Sequence, residues 1–406
     1  MTNPYDELLR VEGGRVLATL IRLTGDITTA EDAVSDAVLV AVERWPVIGV
    51  PRNPGAWLTT VARNKALDRI KREAARVDKE RQAVSLLGSD PEPSTGVLRD
   101  DQLRLIFTVC HPALAPETRV ALALNTVGRL HTREVARAFL VSEATMGQRL
   151  TRAKRKIVAA RIPYRVPDDH ELPDRLPSAL ATVYSIFTAG HHPAEGGLAD
   201  RVNMCDEAIR LAELIHELMP DETEVVGLLA LLLASHARRL ARLDTVGDVV
   251  LLSDQDRSLW DRPSIERAAR MLDAAIRRRQ PGPYQTQAAI ACLHGLAPTF
   301  ADTDWVQIAR LYGFLESQLP TPVVRVNRAV AVAEAEGAEA GLALLSDALA
   351  PTWHLFWVTR ADLLRRIGDI DAACDALDRA LACEMNDTDR RFLERRLLAI
   401  QSLSFQ

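Results

Sequence analysis

The chain has 406 residues, 48% apolar and 26% charged, a composition that excludes a wholly disordered polymer and fits roughly two to four domains. Aromatics are scarce at 5%, and Ala and Leu dominate, which favours helix over sheet. The net charge of −5 is split: residues 1–166 carry 26 Lys and Arg against 19 Asp and Glu, a net of +7, whereas residues 167–406 carry 24 Arg, no Lys and 36 acids, a net of −12.

Helical periodicity runs through nearly every segment, so an all-α protein is expected. In residues 1–80, Thr28-Thr29-Ala30-Glu31 reads as a capping box that opens a helix to about Trp45. Val34, Ala37, Val38, Ala41 and Trp45 form its buried stripe, and Glu31, Asp32 and Asp36 its acidic face. Pro46–Asn53 reads as a loop. Asn53 caps the next helix, Pro54 suits its first turn, and that helix extends to about Arg76. Trp57, Leu58, Val61, Ala62 and Ile70 supply its core, and Arg63, Lys65, Arg69, Lys71, Arg72 and Arg76 make its second half basic. Gly88–Gly96 (GSDPEPSTG) marks a flexible linker over residues 81–97.

Residues 98–165 form the second block. A helix is expected near Asp100–Val109, and another from Pro116 to about Gly128. Thr132 then caps a short helix ending near Phe139. Leu140-Val141-Ser142 is a three-residue turn, and Ser142 caps the helix after it. That helix turns Met146, Leu150, Ala153 and Ile157 inward and Glu143, Thr145, Gln148, Arg149, Arg152 and Lys156 outward. Gly128–Arg165 holds 10 basic and 2 acidic residues, a net of +8. Two helices, a tight turn and a basic outer face make a helix-turn-helix rather than a plain solvated hairpin.

A Pro-rich linker is expected at 166–176, followed by a helical extension over 177–406. Ala340, Leu345, Ala348, Leu349 and Ala350 recur 32 positions later as Ala372, Leu377, Ala380, Leu381 and Ala382. That period suggests stacked tetratricopeptide-like (TPR-like) hairpins. Ser264–Arg279, Tyr284–Leu293 and Asp304–Leu319 are further candidate helices. Asp248–Arg262 breaks the rhythm and reads as a structured loop anchored by Trp260.

No P-loop, G-x-S-x-G, H-E-x-x-H or G-x-G-x-x-G motif occurs, so no catalytic constellation, cofactor or metal is expected. Cys110, Cys205, Cys292, Cys374 and Cys383 are odd in number and scattered, which points to reduced thiols. Cys110 beside His111 reads as a small buried thiol, and His191-His192 as an exposed loop. The longest apolar run, Val225–Ala234, is far short of the roughly 20 residues that span a bilayer. Met1–Arg10 lacks a basic-then-apolar leader pattern, so a cytoplasmic protein with no membrane partner is expected.

Over about Tyr5–Arg165 the chain resembles the extracytoplasmic-function (ECF) sigma factors of bacterial RNA polymerase. The resemblance rests on Thr28–Trp45 and Asn53–Arg72, which look like region 2, and on Ala115–Ile157, which looks like region 4 with its helix-turn-helix. His111-Pro112-Ala113-Leu114 and Ser253-Asp254-Gln255-Asp256-Arg257-Ser258 look like features of the group with a TPR-like C-terminal extension.

The resemblance implies a transcription initiation factor, not an enzyme, with core RNA polymerase and promoter DNA as partners. Glu31, Asp32 and Asp36 would meet polymerase, since phosphate would repel them. Asn53, Arg63, Asn64, Lys65, Arg69, Lys71 and Arg72 would serve the −10 element. Ser142, Glu143, Thr145, Gln148, Arg149, Arg152 and Lys156 would serve the −35 element.

Typical members end soon after region 4 and are held by a separate anti-sigma factor; the extension here departs from that pattern. Its −12 charge suggests an intramolecular contact with the basic sigma regions. That contact either masks DNA reading or holds the sigma regions competent, and the stiffness of Ile162–Pro177 favours the second. The alternative function is a polymerase-independent helix-turn-helix regulator with a ligand-sensing repeat, which leaves the region-2-like helices unexplained. An enzyme with a tethered DNA-binding domain lacks its catalytic residues.

Overall fold

A computed structural model describes residues 5–76, 95–128, 130–139, 141–168, 170–191, 198–244, 249–345, 353–383, 385, 390–391 and 393–398. Regular structure among them is helical, apart from an isolated antiparallel bridge between Leu243 and Val249. The chain divides into two compact units, Met1–Ile186 and Phe187–Gln406.

The first unit begins with α1 (Asp6–Thr24), α2 (Ile27–Ile48) and α3 (Pro54–Arg76). Trp45, 1% exposed, is the hub of this bundle. Tyr5 meets it edge-on and Trp57 at a tilt, both with ring centroids 5.7 Å away. Helix α2 starts earlier than its sequence suggests. Asp26, not Thr28, is the cap, and its carboxylate accepts from the Thr29 N–H at 2.6 Å. The helix also runs past Trp45 and through Pro46, so the loop shrinks to residues 49–53. The Pro46 ring sits in the last turn, where it removes a single backbone bond. Gly49, with φ 78°, then turns the chain and donates to the Trp45 carbonyl. Val38, Trp57, Val61 and Ile70 are partly exposed, while Ala66 joins Leu58 and Ala62 in the α3 core.

Helix α4 (Thr95–Val109) packs against α1, locked by the Arg22 Nε to Asp101 Oδ2 bond of 3.1 Å. The connector expected at 81–97 lies outside the described residues except at its end, where α4 begins. Helix α5 (Pro116–Leu122) continues directly into a π-helical turn, Ala123–Val127. Helices α6 (Thr132–Ala138) and α7 (Glu143–Ala159) follow. Thr132 is the first helical residue of α6 and not its cap; Glu134 Oε2 reaches back to the His131 N–H at 2.6 Å instead. Leu140, in the expected turn, is outside the described residues.

Helix α8 (Leu172–His191) contains the boundary between the units. It begins inside the stretch expected to be linker, with Pro173 in its first turn, where a missing N–H is tolerated, and Pro177 inside the helix, where the ring removes one backbone bond.

The second unit contains α9 (Leu198–Leu218), α10 (Thr223–His236), α11 (Arg262–Ile276), α12 (Pro283–Leu296), α13 (Trp305–Gln318), α14 (Pro322–Glu336), α15 (Ala338–Leu342), α16 (His354–Arg366) and α17 (Ile370–Leu381). Sequence neighbours pack together, α13 on α14 and α16 on α17. The apolar run Val225–Ala234 is α10, which is buried on every side between α9, α11 and α12. A side chain at Gly227 would sit 2.6 Å from the Gln285 backbone nitrogen, so only glycine allows α10 to cross α12 this closely. Trp260 is 4% exposed, as expected of an anchor. Ala348, Leu349 and Ala350 of the repeat lie outside the described residues.

Candidate nucleic-acid interface

Helix α7 presents two chemically distinct faces. Met146, Leu150, Ala153 and Ile157 are buried, at steps of one helical turn. Ser142, Glu143, Thr145, Gln148, Arg149, Arg152 and Lys156 are all exposed. Ser142 Oγ accepts from the Thr145 N–H at 3.2 Å, which fixes the helix start. Lys156 Nζ donates to the Ala113 carbonyl at 2.7 Å, so this ammonium is partly committed to the fold. Arg155, which sequence reasoning passed over, is also exposed. Its spacing of seven from Gln148 and three from Arg152 was the available signal, because those steps share a face.

Along α3, Asn53 Oδ1 accepts from the Ala56 N–H at 3.1 Å, confirming the cap geometry. Asn64, Lys65 and Lys71 are exposed, and Arg63 is partly so. Arg69 pairs with Asp32, its Nη2 2.7 Å from Oδ2. The Arg72 side chain lies outside the described residues.

The acidic face of α2 is engaged by cations within the chain. Glu31 Oε2 is 2.5 Å from Nζ of Lys154, a residue of α7. Its other oxygen, Oε1, is buried and meets no donor among the described residues. Asp36 stays exposed. Beyond it the helix exposes apolar groups that sequence reasoning did not single out: Leu39 at 62%, Val47 at 84% and Ile48 at 64%.

A second unanticipated feature joins α8 to α4. Arg175, itself buried, donates from Nη2 to the Phe107 carbonyl at 2.8 Å, and Ser178 Oγ donates to the Cys110 carbonyl at 2.5 Å. Arg119 also bonds Ser178. These partners satisfy carbonyls left open where α4 ends, and a guanidinium suits the negative end of a helix. Burial pushes the neighbouring Cys110 thiol up to about 11, so it is inert packing. His111 Nδ1 accepts from the Ala113 N–H at 3.1 Å. Among the described residues no helix is long and apolar enough to cross a membrane.

Comparison with known proteins places these elements. The model "Sigma-70 region 2" matches residues 8–76, "Sigma-70, region 4" matches 104–157, and a family of unknown function (DUF6596) matches 175–276. An uncharacterized protein of Rhizobium meliloti is 42% identical over 94% of this chain and 92% of its own length. The ECF RNA polymerase sigma factor SigL of Mycobacterium tuberculosis is 33% identical over 34% of this chain and 77% of its own. A probable ECF RNA polymerase sigma factor, SigI, of the same species is 28% identical over 43% of this chain and 61% of its own. No solved structure matches.

Proposed function

This chain belongs to the ECF sigma factors of RNA polymerase, which direct promoter recognition and transcription initiation, and from that premise we propose how its own residues divide the work. The observation that carries the reading is the exposed basic face of α7, capped by Ser142 and following a region-2 bundle in one compact unit. Gln148, Arg149, Arg152 and Arg155 read the −35 element in the major groove, with Ser142 and Lys156 holding phosphates. Asn53, Arg63, Asn64, Lys65, Lys71 and Arg72 line the −10 strand, with Arg69 joining them once Asp32 lets it go.

Asp36 and the exposed apolar side chains Leu39 and Val47 of α2 dock core RNA polymerase. Glu31 and Asp32 become available to polymerase when Lys154 and Arg69 turn to DNA. Both cations are then exchanged from carboxylate to phosphate, so DNA and polymerase engage the factor together.

The C-terminal extension modulates activity in a positive sense, taking the place of a separate anti-sigma partner. Support comes from Arg175 and Ser178 at the end of α4: the matched extension family begins at the residue that supplies this bond. The protein acts as a binding factor, with the chemistry left to polymerase.

The test is run-off transcription by core polymerase and the full chain on genomic promoter fragments. Start sites that appear only with the factor present support the reading. DNA binding that is equally specific without polymerase, and no transcripts with it, would overturn it.

A further inference from the structure

In the second unit, basic side chains converge where α10 ends and where α12 ends. Trp260 is their common wall: the Arg257 guanidinium lies 4.5 Å from its ring centroid and that of Arg238 5.7 Å. Arg257 is half used. Its Nη1 donates to the His294 and Ala297 carbonyls at 2.9 and 2.7 Å, whereas Nη2 is buried and meets no acceptor among the described residues. Arg262 is spent on the Gly295 carbonyl at 2.9 Å.

Arg238 is different. Among the described residues no carboxylate or carbonyl takes its guanidinium; its neighbours are the cations Arg242 and Arg257 and the phenol of Tyr312. Burial, and then those two cations, push Arg238 down to about 10. His294 lies in the same field. Burial, followed by Arg238 and Arg257, pushes it down to about 4, and its Nδ1 is buried without a partner among the described residues. The indole nitrogen of Trp260 is likewise buried with no acceptor.

Asp302 lies close enough to Arg257 to favour its charge, and the nearby carboxylates also accept hydrogen bonds within their own turns. Asp261 accepts from the Ser264 N–H at 3.2 Å and hydroxyl at 2.8 Å, Asp256 from the Ser258 N–H, and Asp302 from the Thr299 hydroxyl. Crowded guanidiniums repel, and buried donors without acceptors are costly. Packing alone would favour apolar side chains here. What Arg238 lacks is a compact, acceptor-rich negative charge, and guanidinium forks match the oxygens of such a group.

We propose that Arg238, Arg257 and the Trp260 N–H bind an oxyanion, the phosphate or carboxylate group of a small molecule. Arg238 supplies the free fork and Arg257 its unused Nη2. Neutral His294 adds a hydrogen bond without further charge. The extension then carries a small-molecule site of its own, remote in sequence from every DNA-reading residue.

The test is calorimetric titration of the full chain with inorganic phosphate and, separately, with succinate. At least one is expected to bind with Kd near or below about 1 mM, and Arg238→Gln to weaken it about tenfold or more. The stronger of the two names the class. Arg149→Ala separates this site from phosphate captured by α7: binding lost in that variant and kept in Arg238→Gln overturns the proposal. So does failure of both probes to bind at about 10 mM. Should Arg238→Gln fold poorly by circular dichroism, Arg238→Lys decides. It keeps the charge and loses the fork, so several-fold weaker binding supports the site and unchanged binding overturns it.

Discussion

Lys154 and Glu31 are 123 positions apart in sequence, yet Nζ and Oε2 meet at 2.5 Å, with side chains only 17% and 18% exposed. The pair ties α7 to α2, the helices proposed to read the −35 element and to face polymerase. A contact of this kind is worth about 1 kcal/mol in a partly exposed setting, enough to bias an arrangement and weak enough to release. Lys154→Glu is expected to separate regions 2 and 4, read as a longer distance between fluorophores placed on α1 and α6. The double swap Lys154→Glu with Glu31→Lys should restore the shorter distance. A distance indifferent to both changes removes the pair from any role in holding the regions together.

Asp36 offers a cleaner test of polymerase docking than its neighbours, because Asp32 is held by Arg69. Asp36→Lys should weaken binding to core polymerase without lowering the melting temperature. Leu39→Ser should do the same through lost apolar contact, by about 1–2 kcal/mol. Unaltered retention of polymerase in a pull-down by both variants would take this face out of the interface.

Base reading and phosphate holding have different salt signatures. Arg149→Ala or Gln148→Ala should reduce discrimination at the −35 element by about 1–3 kcal/mol. Arg152→Ala should do likewise if it reaches a base edge. Lys156→Ala should weaken all sequences alike and lower the salt slope by about one. It also removes the bond to the Ala113 carbonyl, so its melting temperature should be measured beside its affinity.

Arg175 and Ser178 make the first turns of α8 part of region 4's fold. Arg175→Met strands the Phe107 carbonyl, at a cost of about 1–3 kcal/mol. Ser178→Ala strands that of Cys110. A truncation after residue 166 removes both, together with the buried side chains of Leu176, Ala179, Leu180 and Val183. That fragment should unfold at lower temperature than one ending at residue 191. Equal melting of the two fragments would show that α8 adds nothing to region 4.

His294 predicts acid sensitivity in the second unit. Burial, then Arg238 and Arg257, hold it near 4, against 6.5 in its ordinary state. The unfolded chain therefore binds the proton first, and stability is full above pH 6.5. It falls as pH drops toward 4 and levels off below that. At about 1.4 kcal/mol per unit the loss has a ceiling of roughly 3 kcal/mol. Denaturant melts between pH 7 and 4.5 should show a shallower decline in His294→Gln than in the unaltered chain.

Much of region 4 was readable because its physics is local. The α7 stripe needs only helical periodicity, and Ser142 needs only the N–H of Thr145. The start of α2 was misplaced for the opposite reason. The Glu31 carboxylate that would complete a capping box with Thr28 is drawn to Lys154, a partner no window around residue 31 contains. The Pro-rich stretch read as a linker because prolines usually break helices. Pro173 falls in the opening turn of α8, where it is tolerated, and Pro177 sits inside the helix at the loss of one backbone bond. Arg238 stood out in no motif. Its significance comes from which carboxylates are absent around it, and that depends on helices far apart in sequence.

The bonds from α8 to α4 also impose an order in time. Phe107 and Cys110 each wait for a partner 68 positions further along the chain. At a synthesis rate of 5–20 residues per second, that interval lasts roughly 3–14 s. Throughout it the nascent region 4 has two backbone oxygens without these partners. A polypeptide released early, after the sigma motifs but before α8, would emerge with both carbonyls unpaired. Joining the last polar groups of region 4 to the first helix of the extension makes translation beyond the DNA-reading motifs a condition for a stable factor.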